Sequence, residues 1–173
     1  AAPPELRRHL RSPAAVIRLA ATAAAIATLG GETMGTTWSV RLTAARNAEV
    51  LSRDHLDAIG PELAAIKPME SVFFPEYVKR LRGENVKKAT HKMELAEAVR
   101  DDIRRFKKDN GLERCVAVWC GSTEVHHEQT DAHSTLKNFE EALRKSDPSI
   151  SPSMVYAYAC LKEGVGYCNG APN

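Results

Sequence analysis

The chain has 173 residues, of which 43% are hydrophobic and 27% are charged. These proportions are typical of a globular domain and exclude a collagen-like, disulfide-scaffold or wholly disordered protein. With 24 basic and 22 acidic side chains the net charge is +2, which gives no electrostatic reason to expect a nucleic-acid partner. The length predicts one domain, and it is short for an enzyme with separate cofactor and substrate domains.

Residues 1–30 form a leader rich in arginine and alanine. Arginines within residues 7–18 precede an apolar run over residues 19–29. This order outlines a secretory signal peptide, but alanine and threonine dominate the run, which is well short of the ~20 residues of a membrane span. We therefore favour a packed Ala-rich helix or a poorly ordered leader, and we expect a cytoplasmic protein without a membrane partner.

The following segments carry strand and helix signals. Residues 36–42 are β-branched and aromatic, which predicts a strand. Apolar residues recur at three- and four-residue spacing over 47–66, which predicts a helix that Gly60 and Pro61 break or kink. Residues 68–88 show no clear period and are predicted to be mostly loop.

The last third carries the clearest patterns. Apolar periodicity predicts helices over 94–109 and 134–145, and Ser151 followed by Pro152 predicts the start of a helix that runs to Glu163. The nearly continuous apolar run 114–120 predicts a strand buried on both faces, and a second short strand contains Tyr167. This order predicts an α/β fold in which helices join parallel strands.

The turn after the predicted strand 114–120 is the first candidate site. Ligands of open α/β sheets bind outside the carboxyl ends of the strands, where backbone N–H groups and short hydroxyls are exposed. Gly121 would permit a close backbone approach, and Ser122 and Thr123 could hydrogen-bond a phosphate or a ribose. An ordinary strand-to-loop turn explains these residues equally well from their position alone.

Two polar clusters are weaker candidates. The first could bind a divalent metal, but its spacing matches no helical ligand pair and a solvated loop is favoured; it comprises His126, His127, Glu128, Asp131 and His133. The second could follow a phosphate backbone, but it lacks interleaved aromatic residues and a solvated surface is favoured; it comprises Lys79, Arg80, Arg82, Lys87, Lys88 and Lys92. We therefore predict neither a metal site nor a nucleic-acid interface.

The cysteines and the standard motifs exclude further classes. Cys115, Cys120, Cys160 and Cys168 include no Cys-x-x-Cys pair, which disfavours a zinc ribbon or a dithiol redox site. Buried free thiols are favoured over disulfides because most of these cysteines lie in apolar runs.

Gly-rich phosphate loops and a Gly-x-Ser-x-Gly elbow are missing from the sequence, so a serine hydrolase has no support.

Residues 46–173 nevertheless resemble the central part of the inositol-3-phosphate synthase family. The shared motifs occur in the family's order: KPM at 67–69, VF at 72–73, YVKRL at 77–81, NVK at 85–87, VRDDIRRFK at 99–107, VWCGSTE at 118–124, DPSISPS at 147–153, YAYACL at 156–161 and NGAPN at 169–173. Several separate motifs in register make the resemblance specific. It implies a partial Rossmann-like dinucleotide-binding domain with parallel strands and flanking helices.

The resemblance also implies an activity and a cofactor. Members of the family are isomerases (intramolecular lyases) that convert D-glucose 6-phosphate to 1L-myo-inositol 3-phosphate with bound NAD, in inositol and phospholipid biosynthesis, and they assemble as homotetramers. The sugar phosphate is thus the implied small-molecule partner. The positions that match the family's NAD contacts are Cys120, Gly121, Ser122, Thr123 and, after Asn169, Gly170.

The chain also departs from the family's pattern. No Gly-rich dinucleotide loop occurs in residues 1–45, and the family's catalytic lysines match no lysine of this chain, so no catalytic residue is assigned. We therefore expect a truncated part of the NAD-binding domain, inactive alone. The alternative is a non-catalytic α/β nucleotide-binding module or fragment.

A second, shorter resemblance concerns residues 30–42. Their sequence, GGETMGTTWSVRL, is similar to the opening strand of FAD:protein FMN transferases. It implies that residues 1–45 have a different origin from 46–173, through a junction of unrelated pieces or a gene-model error. A flavin-transfer protein is the weaker alternative function.

Overall fold

A computed structural model describes residues 57, 69–78, 85–119, 121 and 123–171 of the chain. The elements are α1 (Lys92–Asp109), β1 (Val116–Trp119), a short 3-10 helix (Asp131–His133), α2 (Leu136–Lys145), α3 (Pro152–Lys162) and β2 (Gly166–Asn169). The helices and strands predicted for the last third of the chain are confirmed. Their ends differ from the predicted ones by only a residue or two.

The two strands form a parallel pair. Val116 lies opposite Gly166, and Trp119 lies opposite Asn169. Helices α2 and α3 lie between the strands in the sequence, which is the crossover connection that a parallel pair requires. The predicted α/β architecture with helix-linked parallel strands is therefore confirmed.

Capping residues stabilise the start of helix α1 and terminate its end. The His91 side chain accepts a hydrogen bond from the backbone N–H of Glu94 at 3.2 Å, which satisfies one donor of the first turn. The apolar face over 95–106 is buried. The chain leaves the helix through Gly111 at a φ of 60°, a left-handed conformation that costs glycine little.

One hydrophobic core lies between the helices and one face of the sheet. Its most deeply buried side chains come from every part of the described chain: Val72, Tyr77, Ile103, Leu143, Ile150, Val155 and Val165. Trp119 joins this core at 3% exposure, and Ala117 packs against it. The sheet therefore turns alternate residues of β1 inward, as the pleat requires.

The other face of the sheet is open, so the prediction of a strand buried on both faces was wrong. Val116 is 65% exposed and Val118 is 44% exposed, and their partners Gly166 and Cys168 are exposed as well. A short apolar run predicts a strand but does not report how many of its faces are covered. In the described part of the chain, the core lies against only one face.

The segment predicted as loop is irregular but buried. Residues 69–78 and 85–88 contain no helix, and a parallel bridge joins Ser71 to Val86. Val72, Phe74 and Tyr77 from this segment nevertheless belong to the core. The prediction of loop structure is confirmed where the structure describes it.

Several predictions fall on other residues. The leader 1–30, the strand over 36–42 and nearly all of the helix over 47–66 lie outside the described residues. Asp57 alone is described within the last of these, and it is helical. Among the described helices, none is both long enough and apolar enough to cross a bilayer.

The described cysteines are all free thiols. Cys160 is buried, and burial raises the pKa of its thiol to about 12, which keeps it protonated and unreactive. Cys115 is half-buried, whereas Cys168 is exposed on β2. The prediction of buried free thiols is thus confirmed for Cys160 and wrong for Cys168, because Cys168 points to the open face of the sheet. Cys120 lies outside the described residues.

Candidate functional site

The carboxyl ends of β1 and β2 lie side by side. Beyond the last paired residues, Trp119 and Asn169, the backbone N–H of Gly170 donates a hydrogen bond to the carbonyl oxygen of Trp119 at 2.9 Å. The residues that follow β1 and the residues that follow β2 therefore leave the sheet at the same edge. Such an edge is where α/β sheets bind ligands.

Gly121 occupies a position that tolerates no side chain. A Cβ atom there would lie 2.6 Å from Cζ2 and 2.8 Å from Cε2 of Trp119, which is closer than carbon atoms approach without displacement. The backbone of Gly121 therefore lies directly against the indole ring. A backbone without a side chain can also be approached closely by a ligand.

Gly170 is restricted in a similar way. A Cβ atom at this position would lie 3.0 Å from the carbonyl oxygen of Trp119, so a larger residue would press against the strand end. Gly170 and Thr123 are both exposed. Two glycines and one exposed hydroxyl thus follow the ends of neighbouring parallel strands, which is where open α/β sheets bind ligands.

The Trp119 side chain lies beneath this edge of the sheet and packs into the core. Its ring centroid lies 5.4 Å from that of Tyr156, and the Tyr156 hydroxyl accepts a hydrogen bond from the backbone N–H of Val72 at 3.1 Å. Burial raises the pKa of Tyr156, so its hydroxyl stays neutral. Among the described residues the indole Nε1 has no hydrogen-bond partner.

The structure describes only part of the predicted cofactor-binding set. Gly121, Thr123 and Gly170 lie at the shared strand edge, whereas Cys120 and Ser122 lie outside the described residues. The neighbouring Asn169 uses its Oδ1 to accept a hydrogen bond from the backbone N–H of Ala171 at 2.9 Å. The Asn169 side chain therefore shapes the turn after β2.

Glu124 is a residue of this edge that sequence reasoning did not single out. Its side chain is only 4% exposed. One carboxylate oxygen accepts a hydrogen bond from the backbone N–H of Ser153 at 2.9 Å, and the other accepts one from the Ser153 hydroxyl at 2.5 Å. Ser153 lies in the first turn of α3, where the helix dipole favours a negative charge.

In the histidine-rich loop, as elsewhere among the described residues, no group of three or more His, Cys, Asp or Glu side chains is arranged to hold a metal ion. The side chains of His126 and Glu128 are 74% and 95% exposed. His127 stacks on Tyr77 with ring centroids 4.9 Å apart, and His133 accepts a hydrogen bond from the backbone N–H of Thr130 at 3.0 Å. The favoured interpretation as a solvated loop agrees with the exposure of His126 and Glu128 but not with His133, which lies in the short 3-10 helix and is half-buried.

The prediction that the basic cluster is a solvated surface was wrong for two of its members. The Lys92 side chain is buried, and its Nζ donates hydrogen bonds to the carbonyl oxygens of Asp147 at 2.8 Å and Ile150 at 2.7 Å. Lys87 is largely buried in an ion pair of 2.7 Å with Asp102. Lys88 is exposed, and the other three members lie outside the described residues.

Lys92 is charged and yet belongs to the core. Its Nζ also lies 4.4 Å from the ring centroid of Phe74, a distance at which a cation and an aromatic face attract each other. Burial lowers the pKa of Lys92. A lysine in a charge run gives no sequence signal for such a position, because its acceptors are backbone carbonyls more than 50 residues away along the chain.

Similarity to known proteins identifies the family that contains this strand edge. Residues 37–173 match the sequence profile of an NAD-binding family described as myo-inositol-1-phosphate synthase. The chain belongs to this family. The resemblance stated from the motifs is therefore confirmed.

Individual synthases of the family show the extent of the similarity. Inositol-3-phosphate synthase 1 of Bacteroides thetaiotaomicron is 44% identical over 131 residues, which are 75% of this chain and 30% of that protein. The inositol-3-phosphate synthase of Trypanosoma brucei brucei is 35% identical over 133 residues, which are 75% of this chain and 25% of that protein. The chain thus spans less than a third of the length of these relatives.

A solved synthase of the family has the same fold. The crystal structure of inositol-3-phosphate synthase from Caenorhabditis elegans superimposes with a TM-score of 0.68 at 28% sequence identity. The superposition covers 76% of this chain and 26% of the nematode chain. The Rossmann-like α/β class expected from the motifs is therefore confirmed.

Proposed function

We propose that this chain supplies the part of an NAD site that lies beyond the ends of β1 and β2. One observation carries the proposal: the hydrogen bond from Gly170 to the Trp119 carbonyl joins the two segments whose family counterparts contact NAD. Family membership supports the choice of NAD among dinucleotides.

The residues of the edge would hold the cofactor in complementary ways. Gly121 and Gly170 would let the backbone approach the dinucleotide, and the exposed Thr123 hydroxyl would donate or accept a hydrogen bond. Cys120 and Ser122 complete the proposed set. When bound, NAD accepts a hydride and, once reduced, donates it.

Calorimetric titration of the 173-residue chain with NAD tests this proposal. We expect binding in the micromolar range that Gly121→Val and Thr123→Val weaken, because the first fills the turn and the second removes a hydroxyl without adding bulk. Gly166→Ala is the matched control, because a Cβ there meets only Val116 Cγ2 at 3.9 Å. Absence of heat with the folded wild-type chain would refute the NAD site.

We further propose that the site serves the family's reaction, the conversion of D-glucose 6-phosphate to 1L-myo-inositol 3-phosphate. Specific hydride transfer requires cofactor and substrate in one fixed geometry. Since the chain spans 30% of its Bacteroides relative and no catalytic lysine is assigned in it, we expect these 173 residues to bind NAD without turning over the sugar phosphate.

An assay with glucose 6-phosphate and NAD distinguishes the two functions of the site. Binding of NAD without formation of inositol phosphate is the expected result. Substantial product from the purified chain would show that these residues contain the whole catalytic machinery, against our proposal. The assay is then repeated after addition of a synthase fragment that contains the family's catalytic lysines. If the chain binds NAD but still forms no inositol phosphate, the result favours the non-catalytic nucleotide-binding module.

A further inference from the structure

We propose that Glu124 is a positioning residue that holds the NAD-contacting turn in place. The effect of Glu124 on NAD binding rests on the proposed function, whereas its hold on the turn follows from the observed hydrogen bonds alone. The described residues of this turn are Gly121 and Thr123. The turn lies between two side chains that are almost completely buried, Trp119 at 3% exposure and Glu124 at 4%.

The two buried side chains anchor the turn at opposite ends. Trp119 is packed against Tyr156 in the core, and Glu124 is bonded through both carboxylate oxygens to Ser153. The backbone N–H of Val125 adds a hydrogen bond of 3.1 Å to the carbonyl oxygen of Tyr77. Between these anchors Thr123 is exposed, so this hydroxyl faces solvent while the residues that flank the turn, Trp119 and Glu124, are held in the core.

Ser153 also links the turn to the second strand. Its carbonyl oxygen accepts a hydrogen bond of 3.2 Å from the hydroxyl of Tyr167 in β2. The loop after β1 and the strand β2 therefore meet on one residue of α3. Through Ser153, Glu124 holds the adjacent Thr123 in register with β2 and hence with Gly170.

The chemistry of the contact explains why a carboxylate occupies this position. A buried charge is costly unless it is paired with donors, and the first turn of α3 offers an unpaired backbone N–H together with the helix dipole. The Ser153 hydroxyl supplies a second, charge-assisted hydrogen bond. Because both oxygens are engaged in the interior, Glu124 acts through the turn and does not itself contact NAD.

Substitutions at Glu124 separate positioning from general stability. We expect Glu124→Ala to weaken NAD binding about tenfold or more, since two charge-assisted hydrogen bonds are lost. Glu124→Gln keeps the shape and one acceptor, so it should restore most of the affinity. The matched control is Leu143→Ala, which removes a fully buried core side chain of α2 and leaves the hydrogen bonds of Ser153 to Glu124 unchanged.

Affinity and melting temperature are measured for each variant. Weakened NAD binding by Glu124→Ala beside near-normal binding by an equally destabilised Leu143→Ala supports positioning. Equal affinity of Glu124→Ala and the wild-type chain would overturn it, as would equal losses in both variants.

Amide hydrogen exchange without NAD provides an independent readout. Glu124→Ala should accelerate exchange within residues 121–125 while Leu143→Ala does not do so selectively. Unchanged protection of this segment in Glu124→Ala would overturn the inference, even if the wild-type chain binds NAD. Conversely, selective acceleration in a chain that shows no NAD binding would refute the proposed function and leave Glu124 as the residue that fixes the turn.

Discussion

At the scale of single residues, the site depends on the contact between Gly121 and the Trp119 ring. The ring occupies the space that a side chain at position 121 would need, so the turn and the core are packed against each other without a gap. The sequence predicted the importance of Gly121 from the general rule that ligands bind at strand ends. It did not predict Trp119 as the neighbour, because the ring position depends on the tertiary packing.

A double-mutant cycle tests this contact. We expect Gly121→Ala to lower the free energy of unfolding by about 1–3 kcal/mol, the usual cost of overpacking. In a Trp119→Phe background the cost should be much smaller, because phenylalanine lacks the fused second ring of the indole, whose Cζ2 and Cε2 atoms the new Cβ would meet. The measurement is urea denaturation of the four chains. Additive effects would show that the ring does not restrict residue 121.

The buried Lys92 gives a second prediction at this scale. Lys92→Met keeps the length of the side chain but leaves the carbonyl oxygens of Asp147 and Ile150 without their donor, so we expect a loss of about 2–3 kcal/mol in the free energy of unfolding. Lys88→Met, four positions earlier in the same basic cluster and exposed, is the control and should change stability by less than about 0.5 kcal/mol. If both variants are equally stable, the two hydrogen bonds contribute nothing net.

At the scale of elements, α1 and α3 are joined by an ion-pair network at the end of α3. The Glu163 carboxylate accepts hydrogen bonds from Arg104 Nη2 at 2.7 Å and from Arg100 Nε at 2.7 Å. The hydrogen bonds from Arg104 and then Arg100 lower the pKa of Glu163 below its ordinary value of 4.5. The network therefore stabilises the folded state only while this carboxylate is ionised.

The pH dependence of Glu163→Gln follows from that shift. A carboxyl whose pKa is lower in the folded chain contributes full stability above about pH 4.5 and loses it as the pH falls through the lowered folded value. We expect Glu163→Gln to cost about 1 kcal/mol at pH 7, with the difference from wild type vanishing in acid. Thermal unfolding from pH 7 to pH 3 measures it.

The control for this prediction is Glu141→Gln. Glu141 is exposed and pairs only with Lys145 one turn away on the same helix, so its effect should be smaller at every pH. A difference between Glu163→Gln and wild type that persists unchanged below pH 3 would contradict the assignment to the ionised carboxylate.

The elements themselves were predicted well from the sequence, for local reasons. Ser151 before Pro152 predicted the start of α3, and apolar periodicity predicted the extent of α1, because caps and periodicity are short-range signals. The coverage of β1 was not predictable in this way. Whether Val116 and Val118 are covered depends on which elements pack on each face, and an apolar run has the same pattern in both cases.

At the scale of the whole molecule, the described fold is a sheet with one covered face. Residues on the open face should therefore tolerate polar substitution. We expect Val118→Thr to change the free energy of unfolding by less than about 0.5 kcal/mol. Val155→Thr, the same change at a side chain with no exposure, should cost about 2 kcal/mol because it buries a hydroxyl.

Urea denaturation of the two valine variants tests whether this face of the sheet is uncovered in solution. A large cost for Val118→Thr would mean that another surface covers this face in solution. Repeating the measurement at several protein concentrations then separates a second copy of the chain from a cover within the same chain, because only association depends on concentration.

In the candidate site, too, the sequence predicts the residues that carry local patterns but not those that act through distant partners. Strand ends and motifs, which are local patterns, predicted Gly121, Thr123 and Gly170 as candidate site residues, and the structure brings them to one edge of the sheet. Glu124 was missed, because its partner Ser153 lies 29 positions away in the chain. A glutamate before a loop has no pattern that distinguishes a buried anchor from a solvated side chain.

The parallel pairing of β1 with β2 also has a consequence for the order of synthesis. A growing chain exposes β1 before α2, α3 and β2 have been made, and ribosomes add about 5–20 residues per second. For several seconds the Val116–Trp119 strand lacks β2, the strand it pairs with in the described part of the chain. During this interval its apolar side chains and free edge are open to pairing with other nascent chains, so the nascent protein is most in need of a chaperone before Gly166–Asn169 emerges.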